Sequence, residues 1–164
     1  MRRVVVTGLG IVSPVGSNLK EAWDNIVAGR SGIVPITAFD VSAFAARFGG
    51  VVKDFDVGRY LSPKEARKMD PFIHYGIGAA IDAIADAGLE INEHNAERIG
   101  VAIGSGIGGL PGIEVGYQSY LKGGPRKISP FFVPSNIINM IAGNLSTKLG
   151  IKGPNYAIVT ACTT

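Results

Sequence analysis

Short apolar runs that end on glycine alternate along this chain with longer stretches whose apolar residues recur at helical spacing. That alternation limits the fold more than any other feature. Residues 3–9 form a β-branched run that closes on Thr7-Gly8-Leu9-Gly10, the pattern of a buried strand. Residues 98–104 and 156–160 read as further strands, and residues 48–52 as a weaker one. Between them lie three helical patterns. Asn18 reads as an N-cap with Glu21 as its capping-box partner. Leu19, Ala22, Trp23, Ile26 and Val27 share one face, and Gly29 is the stop. Asp70-Pro71 opens a second helix, with Ile73, Ile77, Ala80, Ile81 and Ile84 at helical spacing and Gly88 at its end. Ser135 reads as the cap of a third, carrying Ile138, Ile141, Leu145 and Leu149 and closed by Gly150. Strands apolar on both faces, interleaved with helices, predict an α/β layered fold with a largely parallel, mixed sheet.

The 164 residues suit one domain with enough length to bury a core. Charged residues are 18% and hydrophobic ones 46%, which excludes a disordered chain. The net charge of +3 is too mild for a nucleic-acid binder, so no nucleic acid is expected as a partner. One cysteine allows no internal disulfide and fits a reducing compartment. Met1-Arg2-Arg3 before the valines resembles the start of a signal peptide, but Thr7, Gly8 and Gly10 interrupt the apolar run and no small-residue cleavage site follows. No stretch approaches the roughly 20 apolar residues of a membrane span. The sequence is read as cytoplasmic, with no membrane partner.

Residues 104–134 are rich in glycine and proline and predict a long excursion with one helix, the kind of segment that often carries function. Gly104-Ser105-Gly106-Ile107-Gly108-Gly109 fits a dinucleotide fingerprint in form. Pro111 and Gly112 are expected to break the helix that should receive the pyrophosphate, and no acidic residue follows at the ribose-binding distance. Turns and close packing are the better reading.

Cys162 follows an apolar strand in Val159-Thr160-Ala161-Cys162-Thr163-Thr164, with small neighbours that let a thioester approach. A buried, inert cysteine is the commoner role of a lone thiol. A strand-to-helix turn would instead set the sulfur at a helix N-terminus, where the dipole favours a thiolate by about 0.3–1 kcal/mol. That is too little to activate a thiol without a further base or cation. His74 and His94 are expected to be packing or surface residues, and no His/Cys/carboxylate cluster suggests a metal. Lys64, Arg67 and Lys68 stand at i, i+3 and i+4, one face of a helical turn, and Arg126-Lys127 adds a second basic pair. On pattern alone these form either a solvated surface or a landing patch for an acidic partner.

Taken in order, residues 2–164 resemble the beta-ketoacyl-acyl carrier protein synthases, most nearly the synthase II type of bacterial type II fatty-acid synthesis. The resemblance rests on Val5-Val6-Thr7-Gly8-Leu9-Gly10 with Ser13-Pro14-Val15-Gly16, and on Lys64-Glu65-Ala66-Arg67-Lys68-Met69-Asp70. It continues through residues 104–109, Pro130-Phe131-Phe132-Val133-Pro134, Gly153-Pro154-Asn155-Tyr156 and Thr160-Ala161-Cys162-Thr163-Thr164. It implies a thiolase-like fold, with residues 1–164 as an N-terminal half-domain ending after the nucleophile and a C-terminal half absent. It implies a homodimer with Cys162 as catalytic nucleophile. Ile107 and Phe132 would line the acyl pocket, Phe132 reaching in from the partner subunit. Lys64, Arg67, Lys68, Arg126 and Lys127 would meet acyl carrier protein. The implied reaction is a decarboxylative condensation of an acyl-cysteine with malonyl-carrier protein, with no organic cofactor and no metal. Family members continue past the cysteine with its helix, two catalytic histidines and a lysine, so the 164-residue chain alone is expected to be inactive. Two alternatives remain: a polyketide-type ketosynthase, and a non-catalytic fragment that retains association with carrier protein or with itself.

Overall fold

A computed structural model describes residues 2–164. They form two compact units: the residues up to Asp56 with Gly78–Leu89, and Val57–Ile77 with Glu90–Thr164.

In the first unit, helix α1 spans Leu19–Val27. Asn18 Oδ1 accepts the Glu21 N–H at 2.9 Å, and the Glu21 carboxylate reaches back to the Ser17 N–H at 3.2 Å. The reciprocal cap expected from the sequence therefore forms, shifted by one residue on its return arm. The apolar face of α1 is not covered as expected: Ala22 is buried, while Trp23, Ile26 and Val27 are exposed. Strands β1 (Ile33–Pro35) and β2 (Phe48–Gly50) pair antiparallel, with Ile33 opposite Gly50 and Pro35 opposite Phe48. The weak strand expected near residue 48 is thus present and short.

The strand expected over residues 3–9 does not form; among the described residues this run has no ladder partner, and Val4 is 93% exposed. Its β-branched side chains favour extended backbone, but a strand also needs a neighbour to bond. The segment is held from its glycine end instead. Gly8 and Gly10 lie on the helical stretch after Gly78, where a Cβ on Gly10 would come within 2.7 Å of the Ala83 nitrogen. The Leu9 N–H donates to Asp86 Oδ2 at 2.8 Å.

The second unit holds most of the core. Its short helix α2 (Pro63–Ala66) begins with a complete capping box between Ser62 and Glu65. Helix α3 spans Pro71–Asp86, and its start carries the fully buried Ile73 and Ile77. Burying each such side chain contributes about 1.5–3 kcal/mol. Strands β3 (Val101–Ala102) and β4 (Asn155–Tyr156) pair in parallel, the connection expected of an α/β chain. The ladder runs on beyond the named strands, with Ile103 and Ser105 N–H groups donating to the Tyr156 and Ile158 carbonyls. The described residues thus contain two small sheets rather than one broad parallel sheet.

Two helix boundaries differ from expectation. Helix α4 spans Leu110–Gly123, so Pro111 and Gly112 start a helix where a break was expected. Proline fits the first turn because its missing N–H would have no intrahelical partner there. Ser135 is not the cap of the following long helix. It lies in the short helix α5 (Phe132–Asn136), and helix α6 begins later, at Met140–Leu149. The Ser135 and Asn136 side chains both donate to the Phe132 carbonyl, closing α5, and Ile137 then turns extended. The expected apolar spacing survives this shift: Ile141 and Leu145 are buried, and Gly150 ends α6 in the left-handed region.

Candidate active site

Cys162 is exposed in a three-residue 3-10 turn, Ala161–Thr163, that follows the β4 ladder. The turn is closed by the Thr163 N–H and hydroxyl, both donating to the Thr160 carbonyl, and by the Thr160 N–H donating to Thr164 Oγ1 at 2.8 Å. Ala161, directly before the sulfur, has φ = 53°. An alanine in this left-handed region is strained by about 1–2 kcal/mol, a cost that clusters at functional turns.

A glycine loop lies against this turn. The Ser105 N–H donates to the Ile158 carbonyl at 3.3 Å. A Cβ on Gly104 would come within 2.8 Å of that same oxygen, and one on Gly106 within 3.3 Å of the Ala161 carbonyl. The loop therefore approaches the strand and turn of Cys162 as closely as backbone allows, and side chains there would hold it off. Ile107 projects from this loop onto an apolar cavity of about 420 Å³. Phe132, Ile113, Val133, Ile137 and Ile138 form its remaining apolar lining. The structure thus brings Ile107 and Phe132 to one groove within a single chain, where the resemblance has Phe132 entering from a partner.

Three of the five basic residues meet at a second cavity, of about 370 Å³. Arg67, Lys68 and Lys127 line it together with Asp70, Val115, Phe131 and Phe132; Lys64 and Arg126 do not. The Lys68 ammonium lies 4.9 Å from the centre of the Phe131 ring, a cation–π contact of about 0.5–1 kcal/mol at an exposed site. The turn that presents Lys64, Arg67 and Lys68 is anchored by Glu65. Its carboxylate accepts the Ser62 N–H at 2.7 Å and pairs with Lys148 at 3.3 Å. The bonds from Ser62, then that from Lys148, hold the Glu65 carboxyl down at about 2.

The histidines do not reach the thiol's surroundings. His74 Nε2 lies 3.0 Å from the Ala66 carbonyl, and His94 is exposed in its loop. No group of three or more His, Cys, Asp or Glu among the described residues could hold a metal ion. Asp70 and Asn136 are buried, and the sequence pattern gave no sign of Asn136's place or of Asp70's second bond. Asp70 is legible as a cap, but its second partner, Gly112, lies 42 residues away, and nothing local signals it.

The family description "Beta-ketoacyl synthase, N-terminal domain" matches residues 1–164. The chain belongs to this family. Among curated relatives, it is 63% identical over 163 residues to a 3-oxoacyl-(acyl-carrier-protein) synthase 2 of Vibrio cholerae, and 55% identical to one of Coxiella burnetii. Each alignment covers 99% of this chain and 39% of the relative, so the chain spans about two fifths of their length. Among solved structures, the ishigamide ketosynthase/chain length factor superposes with a TM-score of 0.85 at 30% identity, covering 97% of this chain and 40% of that one. A beta-ketoacyl synthase from Burkholderia phymatum shares the fold, with a TM-score of 0.75 at 23% identity over 98% of this chain and 40% of the other. The thiolase-like α/β assignment made from the sequence therefore stands for this beta-ketoacyl synthase domain.

Proposed function

We propose that this beta-ketoacyl synthase domain supplies the acyl-accepting site of a condensing enzyme that elongates fatty acids on acyl carrier protein. The observation that carries the reading is the placement of Cys162. It is exposed on a strained turn, pressed by a glycine loop whose Ile107 opens onto an apolar groove. The names of the relatives at 47–63% identity supply the carrier-protein substrate class.

In this reading the Cys162 thiolate attacks the carbonyl carbon of an acyl-carrier thioester. A tetrahedral oxyanion forms, and the Cys162 backbone N–H contributes to its stabilisation. The carrier's thiolate leaves and takes up a proton, and the acyl chain lies along Ile107 and Phe132. Malonyl-carrier protein then loses carbon dioxide. The carbanion left behind attacks the acyl-cysteine carbonyl, the carbon–sulfur bond breaks, and the product is longer by two carbons. Arg67, Lys68 and Lys127 meet the acidic carrier at their shared cavity, and Lys64 and Arg126 belong to the same docking set. The working protein is read as a cytoplasmic homodimer. Its setting is supported by an unpaired thiol, and no helix among the described residues is long and apolar enough to cross a membrane.

The test is to incubate the full-length protein with acyl-carrier protein and locate the acyl group by peptide mass. Acylation at Cys162, lost in Cys162→Ala, is expected; acylation elsewhere overturns the reading. A polyketide-type ketosynthase is the second reading, favoured by the likeness to the ishigamide ketosynthase/chain length factor. Efficient use of plain saturated acyl chains, expected here, counts against it.

A further inference from the structure

We propose that Asp70 is a positioning residue that locks the basic docking turn in register with both walls of the acyl groove, a role that rests on the reading of that groove as the acyl site. Asp70 follows Lys68 by two residues and is only 7% exposed. A plain N-cap needs one oxygen and normally faces water. Here Oδ1 accepts the Phe72 N–H at 3.2 Å and serves as that cap. Oδ2 goes elsewhere: it accepts the Gly112 N–H at 3.0 Å, in the first turn of α4. The Asp70 N–H donates to the Ser135 carbonyl in α5 at 3.2 Å. One residue thus joins the basic turn to α4, which carries Ile113, and to α5, which carries Phe132 and Val133.

The surrounding chain is shaped to let this carboxylate in. A Cβ on Gly109 would lie 2.9 Å from the Asp70 carboxyl carbon, and one on Gly112 would lie 2.9 Å from the Asn136 amide carbon. The Gly109 N–H donates to the Asn136 carbonyl, which ties the Ile107 loop to the same point. Asn136 Oδ1 is buried there with no donor, so that side chain contributes no bond to hold Gly109 and Gly112 in place. The Asp70 carboxylate supplies the side-chain bond to α4. When it is lost, the first turn of α4 and the loop before it are released, and Ile107 and Ile113 shift against Phe132. A long acyl chain that fills the groove senses this displacement; a short one does not.

The experiment uses the full-length protein with Asp70→Asn and Asp70→Ser. Asparagine keeps the size but has one acceptor oxygen for two N–H groups, so it cannot hold Phe72 and Gly112 together as the carboxylate does. Serine caps Phe72 but is too short for Gly112. For both, kcat and KM are measured with carrier-bound saturated acyl chains from short to long. The ratio of kcat/KM for long over short chains should fall about tenfold, the scale of one lost charge-assisted hydrogen bond. The fall should lie in kcat, because the basic turn keeps its own capping box and Lys148 pair while the groove walls shift. If the serine variant does not fold, the isosteric asparagine variant decides the matter. An unchanged ratio in the folded variants reduces Asp70 to a helix cap and overturns the proposal. A uniform loss for all chain lengths overturns it as well. Failure of the underlying reading is separate, since it shows as no acyl-Cys162 in the unaltered protein.

Discussion

The turn that carries Lys64, Arg67 and Lys68 and the turn that carries Cys162 are held in opposite ways. The basic turn is fixed from several sides: the Ser62–Glu65 capping box, the Lys148 ion pair, and the buried Asp70 directly after it. The Cys162 turn is exposed, closed by threonine bonds within five residues, and strained at Ala161. A surface that must meet a partner in one geometry gains from rigidity, because ordering on binding costs affinity. The glycine loop packs closely against the Cys162 turn because it carries no side chains there. The two turns thus differ in their local supports, and substitutions in each test what those supports do.

The largest expected effect breaks the rigid side. Gly112→Ala pushes a Cβ into the Asn136 amide and should destabilise the domain by about 2–3 kcal/mol, read as a fall of several degrees in Tm. Gly143→Ala is the control. Its Cβ would meet nothing nearer than the Met140 sulfur at 3.8 Å within α6, and Tm should hold or rise.

Next comes the groove. Ile107→Phe in the full-length protein should cut the use of long acyl primers roughly 30-fold while sparing short ones, because the added volume overpacks a lined cavity. Equal use of all lengths would detach Ile107 from the acyl chain. A smaller effect is expected at the basic turn. Lys64→Glu with Arg67→Glu should lower kcat/KM for carrier-bound substrate about tenfold, with a steep dependence on salt, and leave a small soluble thioester nearly unaffected. Equal losses with both substrates would contradict a docking role.

The smallest effect sharpens the comparison through pH. The Glu65 carboxyl is depressed from 4.5 to about 2, so its folded state binds the proton less readily than its unfolded state. Its contribution to stability is complete above about pH 4.5, declines as pH falls below that, and is gone below about pH 2. Glu65→Gln should therefore lower Tm slightly at neutral pH, and the gap between variant and parent should close as the solution is acidified through this window. A gap that does not change with pH would mean that the ion pair and cap contribute little.

Much of this was legible because it is local. Asn18 with Glu21, and Asp70 before Pro71, announce helix starts within four residues, and both helices form where the sequence places them. The close approach of the glycine loop was legible, and Cys162 stood out as a candidate through its small neighbours. What escaped depends on distant partners. The valines at 4–6 read as a strand, yet pairing requires a neighbour that periodicity does not reveal. Ser135 read as a cap, yet its hydroxyl closes a separate short helix. The grouping of Arg67 and Lys68 with Lys127 emerges only when α4 and α5 bring residues 111–136 against the basic turn.

The central claim is that Cys162 receives the acyl group and that the groove lined by Ile107 and Phe132 holds the chain. Intact-mass and peptide-mass measurement of the full-length protein after incubation with a long-chain acyl-carrier protein tests it most directly. One acyl group per subunit is expected, on Cys162, absent from Cys162→Ala and much slower to form in Ile107→Phe. An acyl group on another residue, or undiminished acylation of Cys162→Ala, would contradict it.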